Sequence, residues 1–264
     1  MGLLSDELQF HVQLNESMVG KYAILPGDPG RVEKIAAFLD DAHFVASNRE
    51  YTTYTGTLLG EKVSVVSTGI GGPSAAIAVE ELIRCGVHTF IRVGTCGGIN
   101  DKVRGGDVLI ASAAVRSEGT SKEYLPEVYP AVADFEVVTA LKQAGDRLSE
   151  NEDGKRCFVG VVQSKDNFYG QVEPRTMPVA DMLTERWNAY VQCGCLASEM
   201  EAASVFSVCL ARGKRAGAVF TALWNFERSR KGLPDNVCHD STRAIKTAIE
   251  AVKILIEQDR KNGI

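Results

Sequence analysis

Short apolar runs of strand length alternate along this chain with stretches whose apolar residues recur at helical spacing. Residues 22–25, 63–67, 89–93, 108–111, 158–162 and 216–224 have strand length and β-branched enrichment. Between them, residues 31–39 place Val32, Ile35, Ala36 and Leu39 on one helical face. Residues 74–85 stack Ala75, Ala78, Val79, Leu82 and Ile83, and Pro73-Ser74 supplies a first-turn and cap signal. The clearest helix is the last. Asp240-Ser241 offers a cap, and Ile245, Ala248, Ile249, Val252, Leu255 and Ile256 form one apolar stripe. Its charged end, EQDRKNGI, is expected to fray. With no repeat, low-complexity tract or linker, the pattern predicts one α/β domain over residues 1–264, with a mostly buried sheet and helices on both faces.

A length of 264 residues, 45% of them apolar, suffices for a substantial core. The net charge of −5 argues against a broad nucleic-acid or membrane surface, though not against a local cluster of arginines. The opening MGLLSDELQFHVQ carries acidic residues and no apolar leader core, so it is not read as a signal peptide. No run of roughly 18 apolar residues predicts a spanning helix. Seven cysteines, odd in number and mostly in apolar stretches, fit reduced structural thiols in a cytoplasmic protein.

Four segments could carry chemistry. Gly27-Asp28-Pro29-Gly30-Arg31 follows a strand and precedes a helix, where exposed N–H groups favour an anion. On its own it is better read as a tight turn with a solvated arginine, since short glycine motifs are weak signals. Ser67-Thr68-Gly69-Ile70-Gly71-Gly72-Pro73-Ser74 sits at a similar junction, and its glycines would equally serve close packing. In Arg92-Val93-Gly94-Thr95-Cys96-Gly97-Gly98 the arginine interrupts an apolar strand, and a buried guanidinium needs an anion beside it. Ligand and structural ion pair fit it equally. All three segments end strands at the edge where open α/β sheets bind ligands. Their coincidence favours an oxyanion site built from Arg31, Arg92 and Thr95, with Arg49 as a further candidate. No GK[ST] occurs, so a nucleoside triphosphate is not supported.

The fourth segment is Ser198-Glu199-Met200-Glu201-Ala202. Extended, it would point Glu199 and Glu201 to one side; helical, it would spread them. Either carboxylate could accept hydrogen bonds from a ribose diol, but alone the segment reads as a solvated helix start.

Taken together and in this order, PGDPGRVEKIA, STGIGGPS, RVGTCGG, FYGQ and SEMEAAS resemble the uridine phosphorylases. These sit in the nucleoside phosphorylase superfamily, beside hexameric purine nucleoside phosphorylases and nucleoside hydrolases. The likeness runs from about Phe10 to the last helix. It implies a three-layer αβα fold with a central mixed, partly barrel-like sheet. It also implies reversible phosphorolysis of uridine to uracil and ribose 1-phosphate, with phosphate as co-substrate and no cofactor required. By motif, phosphate would be held by Gly27, Arg31, Arg92 and Thr95, with Arg49 from a neighbouring subunit. Ribose would be held by Glu199, Met200 and Glu201, with His11 reaching across a dimer. The base would meet Phe168 and Gln171, with Arg175, Asn225 and Arg228 nearby. Arg92, Thr95, Glu201 and Gln171 would form the catalytic set. Glu50, Ile70 and Ser74 match positions that hold a monovalent cation, such as potassium, at the dimer interface. The expected assembly is a homohexamer, a trimer of dimers, in the cytoplasm.

The resemblance has departures. One residue is missing before Gln171, which displaces Arg175. Ser198 stands where a tyrosine often does. Phe226 replaces an arginine for which Arg228 or Arg230 would substitute. Asn225 takes the place of an aspartate that acts on purine N7, and an amide cannot be that acid, so a pyrimidine is favoured. The alternatives are a purine nucleoside phosphorylase, a nucleoside hydrolase and a non-enzymatic nucleoside-binding protein. The arginines argue against hydrolysis by water.

Overall fold

A computed structural model describes residues 7–149 and 156–263. Its strands are β1 (Tyr22–Pro26), β2 (Asp40–Asn48), β3 (Tyr51–Leu58), β4 (Glu61–Val66), β5 (Thr89–Gly98), β6 (Val108–Ser117), β7 (Ala131–Val132), β8 (Cys157–Lys165), β9 (Ala197–Glu199) and β10 (Arg215–Asn225). Its helices are α1 (Val32–Ala36), α2 (Gly72–Arg84), α3 (Phe135–Ser149), α4 (Phe168–Val172), α5 (Ala180–Gln192), α6 (Ala202–Ala211), α7 (Phe226–Arg230) and α8 (Thr242–Asn262).

All the described strands join one mixed sheet. Five of them, β10, β6, β8, β9 and β5, close on themselves because β10 pairs with both β6 and β5. From β5 the sheet continues through β1, β4, β3 and β2 as an open wing. The expected partly barrel-like α/β fold is therefore present. α2 and α6 pack one apolar cluster on one face. α1, α3 and α8 pack a second cluster on the other. α6 is buried at nearly every position and so has no polar stripe to announce it.

β4, β1, β5 and β10 run parallel, with Ile24 opposite both Val65 and Ile91. This shared direction brings the glycine-rich ends of β1, β4 and β5 to one edge, and it positions the site. Among the described residues no helix is long and apolar enough to cross a membrane.

The pattern of apolar positions missed the hairpin of β2 and β3. β2 is mostly exposed, and β3 turns Thr53 and Thr55 into the interior, so neither reads as alternating apolar and polar. Thr55 Oγ1 is satisfied there by Ser64 Oγ at 2.9 Å and the Met18 carbonyl at 3.0 Å. Two further expectations need correction. The last helix does not fray within the described residues. Asp259 is buried against Tyr22 Oη at 2.6 Å, Arg260 binds Glu61 at 3.0 Å, and Gly263 closes the helix in the left-handed region. Ser74 does not cap α2: its hydroxyl donates to the Ile70 and Gly71 carbonyls at 3.1 and 3.2 Å. Residues 1–6, part of the segment read against a leader, and Ile264 lie outside the described residues.

Candidate active site

The segment after β1 folds as a 3₁₀ turn at Pro29–Arg31, capped by Asp28, whose side chain accepts the Gly30 N–H at 2.8 Å. The turn aims Arg31 back toward the sheet. Beside it the chain after β4 crosses close to Gly27: a Cβ on Gly27 would stand 3.3 Å from the Gly69 carbonyl and 3.8 Å from Arg92 Nη1. A side chain there would crowd Arg92 at the wall of a cavity that Arg31 also lines.

Arg92 projects from β5 and is almost wholly buried. Its Nε donates to Glu199 Oε2 at 3.1 Å, and its Nη2 donates to Glu201 Oε2. Nη1 has no protein partner, nor has Nη1 of Arg31, though both are buried. Burial pulls the Arg92 pKa down, but the charges of Glu201 and Glu199 outweigh it and the net shift is upward. Arg31 moves the other way. Burial lowers it, Arg92 adds like-charge repulsion, and Asp28 at 3.8 Å only partly compensates. Each guanidinium thus lines the same cavity with one buried N–H group that no protein acceptor takes.

The SEMEA segment is neither fully extended nor fully helical. Glu199 ends β9 and Glu201 occupies the cap position of α6, so both carboxylates converge on Arg92. They differ in what remains free. Glu199 accepts the N–H groups of Glu201 at 2.8 Å and of Ala202 at 3.0 Å, along with the hydroxyl of Ser164 and Arg92 Nε. The reading of Glu199 as a ribose ligand therefore needs correction, because α6, β8 and Arg92 consume its oxygens. It positions Arg92. Glu201 accepts one N–H from Gly71 at 2.7 Å besides Arg92. A carboxylate has about four lone-pair sites, which leaves two for hydroxyls. Burial pushes its pKa up, against the pull of Arg92 and with the push of Glu199.

These groups line a cavity of about 710 Å³ together with Gly27, Thr95, Phe168, Met200, Trp224 and Phe226. A second cavity of about 420 Å³ holds Gln171, Arg175 and Arg230, and Lys165 and Phe226 line both. Gln171 is tied to the wall: Nε2 donates to Gln163 Oε1 at 2.9 Å, and Oε1 accepts from Ser198 Oγ at 2.6 Å. Arg230 is paired with Glu227 at 2.8 Å.

Two base-site expectations are corrected. Asn225 is fully buried and lines neither of these cavities. Its Oδ1 caps α7 by accepting the Arg228 N–H at 3.0 Å, and its Nδ2 donates to the carbonyls of Asn100 and Val103 at 2.7 and 2.9 Å. Arg228 is spent on loop carbonyls, those of Pro234 at 2.6 and 2.8 Å and of Asp101 at 2.5 Å. Both hold the turn after β10 and do not reach a base. Lys165 went unread, although a charge at the end of an apolar strand is the same signal that singled out Arg92.

Neither His11 nor Arg49 lines this cavity. Asn48, the neighbour of Arg49, donates to the His11 carbonyl at 2.7 Å, and His11 Nδ1 lies 2.7 Å from Glu81. Arg49 is exposed, with φ of 55° in the β2–β3 turn. Glu50 and Ser74 flank Gly69, where a Cβ would stand 2.7 Å from Glu50 Cγ and 3.3 Å from Ser74 Oγ.

The family model of the phosphorylase superfamily matches residues 21–257. The chain belongs to this superfamily. Among its curated relatives, a uridine phosphorylase of Treponema pallidum is 53% identical over 97% of this chain and 97% of its own. A uridine phosphorylase of Escherichia coli is 40% identical over 94% of this chain and 98% of its own. A guanosine phosphorylase of Halorubrum lacusprofundi is also 40% identical, over 94% and 99%. Within the phosphorylase superfamily, then, relatives named for a pyrimidine and for a purine nucleoside can lie at equal distance from this chain. Base choice has to be argued from the site.

Proposed function

We infer that this chain is a uridine phosphorylase, converting uridine and phosphate reversibly to uracil and ribose 1-phosphate. The observation that carries the phosphorolytic half is the pair of buried, unpartnered Nη1 atoms of Arg92 and Arg31 around Gly27. A phosphate dianion supplies the acceptors they lack, in charge-assisted hydrogen bonds. Held there with help from Thr95, it lies below a ribose bound through Glu201 and Met200 and attacks C1′ as the bond to the base breaks. Positioning and charge do the work, because the sugar becomes cation-like and the base departs with an electron pair. The pyrimidine half rests on Gln171 and Phe168, together with the 53% identical relative.

Asn48, next to Arg49 in the chain, binds the His11 carbonyl, and neither Arg49 nor His11 lines the cavity of its own chain, which suits residues given to a second copy. Exposed Phe10, whose ring meets that of His11, and exposed Ile70 supply apolar area for that contact. We read the enzyme as a homo-oligomer with sites shared across a dimer. Its unpaired cysteines fit a reducing cytoplasm. The carboxylate of Glu50, the carbonyl of Ile70 and the hydroxyl of Ser74 are oxygen donors fitted to a hard cation, and Gly69 keeps the space between them clear. A monovalent cation there would join two copies without entering the reaction. Potassium chloride is expected to raise the melting temperature of the wild type more than that of Glu50→Gln, each referred to a salt of a large organic cation. Equal shifts would remove the cation site.

The assay that tests the function supplies uridine or inosine, with and without phosphate, and identifies the sugar product. Phosphate-dependent ribose 1-phosphate from uridine is expected. Free ribose formed without phosphate would sink the phosphorylase reading, and cleavage of inosine alone would sink the pyrimidine assignment.

A further inference from the structure

Lys165 ends β8 at the junction of the two cavities, with only a small fraction of its surface exposed. Nζ donates to Ser198 Oγ at 2.7 Å, and Ser198 passes the contact to Gln171 Oε1 at 2.6 Å. Its ammonium lies 5.7 Å from the centroid of the Phe168 ring. Among the described residues, Ser198 is the one acceptor in hydrogen-bond reach, so two of its three N–H groups remain for something else. The charged and titratable groups around it are Glu199 and Glu201 at the start of α6, Cys96 on β5, and Arg92, which already engages both carboxylates. A buried ammonium with one neutral partner is costly, and no structural ion pair explains it.

The position agrees with the chemistry. Toward one cavity lie Arg92, Thr95 and Glu201, where phosphate and ribose would sit. Toward the other lies Gln171, which would read the base edge. A group between them stands beside the bond that breaks. We propose that Lys165 touches the pyrimidine, donates to a ring carbonyl oxygen, and acts as the acid for the departing base. The proposal rests on the uridine phosphorylase reading and extends it. In the step, a phosphate oxygen forms a bond to C1′ while the C1′–N1 bond breaks and its electron pair moves into the base. One proton passes from the ammonium to the base, so uracil leaves neutral. The amine recovers a proton from solvent before the next turnover. Desolvation lowers the Lys165 pKa to about 8, with Glu199 and Glu201 opposing, which keeps it protonated yet easily deprotonated near neutrality.

The test compares wild type, Lys165→Met and Lys165→Arg on uridine and on 5-fluorouridine, whose base is the more acidic leaving group. Lys165→Met is expected to lower kcat on uridine on the order of 10²-fold or more, with a distinctly smaller loss on 5-fluorouridine and an unchanged KM for phosphate. Wild-type activity is expected to fall as pH rises through about 8, when the ammonium is lost. Lys165→Arg, which stays charged but cannot give up its proton, is expected to lose most of kcat, with the remaining activity showing its alkaline limb only at higher pH. Uridine loses a proton from N3 in alkali, so the limb that counts is the one the arginine shifts. Equal losses on both substrates, or an alkaline limb unmoved in Lys165→Arg, would overturn the proposal while leaving the phosphorylase intact. If Lys165→Met does not fold, the Lys165→Arg profile decides alone. A wild type that leaves uridine uncleaved overturns both readings.

Discussion

Arg92→Ala is expected to lose phosphorolysis by at least on the order of 10³-fold in kcat/KM. The effect is large because one side chain does three things. Nη1 faces the proposed phosphate space, Nε anchors Glu199, and Nη2 holds Glu201. Removing it leaves two buried carboxylates without their cation, which destabilises the fold by about 3–5 kcal/mol. Thermal unfolding measured beside the kinetics separates the two losses. Arg31→Ala supplies the second check. Arg31 is only half-buried and holds no carboxylate tighter than Asp28 at 3.8 Å, so its loss should raise the KM for phosphate with little change in stability. A folded Arg92→Ala within tenfold of wild type would refute the phosphate assignment. The same variant tests the shared site. Mixed with Arg49→Ala after subunit exchange, it should regain activity, because a mixed dimer has one site with both arginines intact. Half the dimers being mixed, roughly a quarter of wild-type activity is the ceiling. No recovery, with exchange verified, would confine the site to one chain.

How much of this was legible in the sequence depended on whether a residue's role is local. Arg92 was legible because a charge inside FIRVG breaks an apolar strand. The glycines were legible because each falls where a parallel strand ends. Lys165 carried the same signal at the end of β8, but a lysine followed by Asp166 reads as solvated until the cavities are seen to meet at it. Asn225 could not be settled from the chain. Whether its amide faces a pocket or a loop depends on the carbonyls of Asn100 and Val103, more than a hundred residues away, and on its packing against Gly98. Glu199 and Glu201 look equivalent in SEMEA. The start of α6 takes up the Glu199 carboxylate, which accepts the N–H groups of Glu201 and Ala202, and leaves Glu201 with free lone pairs. His11 came to notice through the resemblance, and Arg49, already a candidate for the oxyanion, gained its place on a neighbouring subunit only there, since a side chain that serves another copy leaves no trace in its own periodicity.

Glu201→Gln should produce the second large effect, and its signature is a change in sugar preference. Both groups already bound to the carboxylate, the Gly71 N–H and Arg92 Nη2, are donors. A glutamine must turn its own NH₂ toward one of them or toward the ribose, so a donor meets a donor in a buried site. A loss on the order of 10²–10³-fold in kcat/KM on uridine is expected. On 2′-deoxyuridine the loss should be smaller, because that substrate lacks one of the hydroxyls the carboxylate would accept from. Measuring kcat/KM for both enzymes on both substrates closes a cycle between one side chain and one hydroxyl. If the two losses multiply without coupling, Glu201 does not hold the 2′-hydroxyl and its carboxylate serves only Arg92. If they couple, one carboxylate binds the sugar and steers the arginine that faces phosphate. Loss of ribose contact would then also weaken phosphate, so the KM for phosphate should rise in Glu201→Gln even though Gly27, Arg31 and Thr95 are untouched.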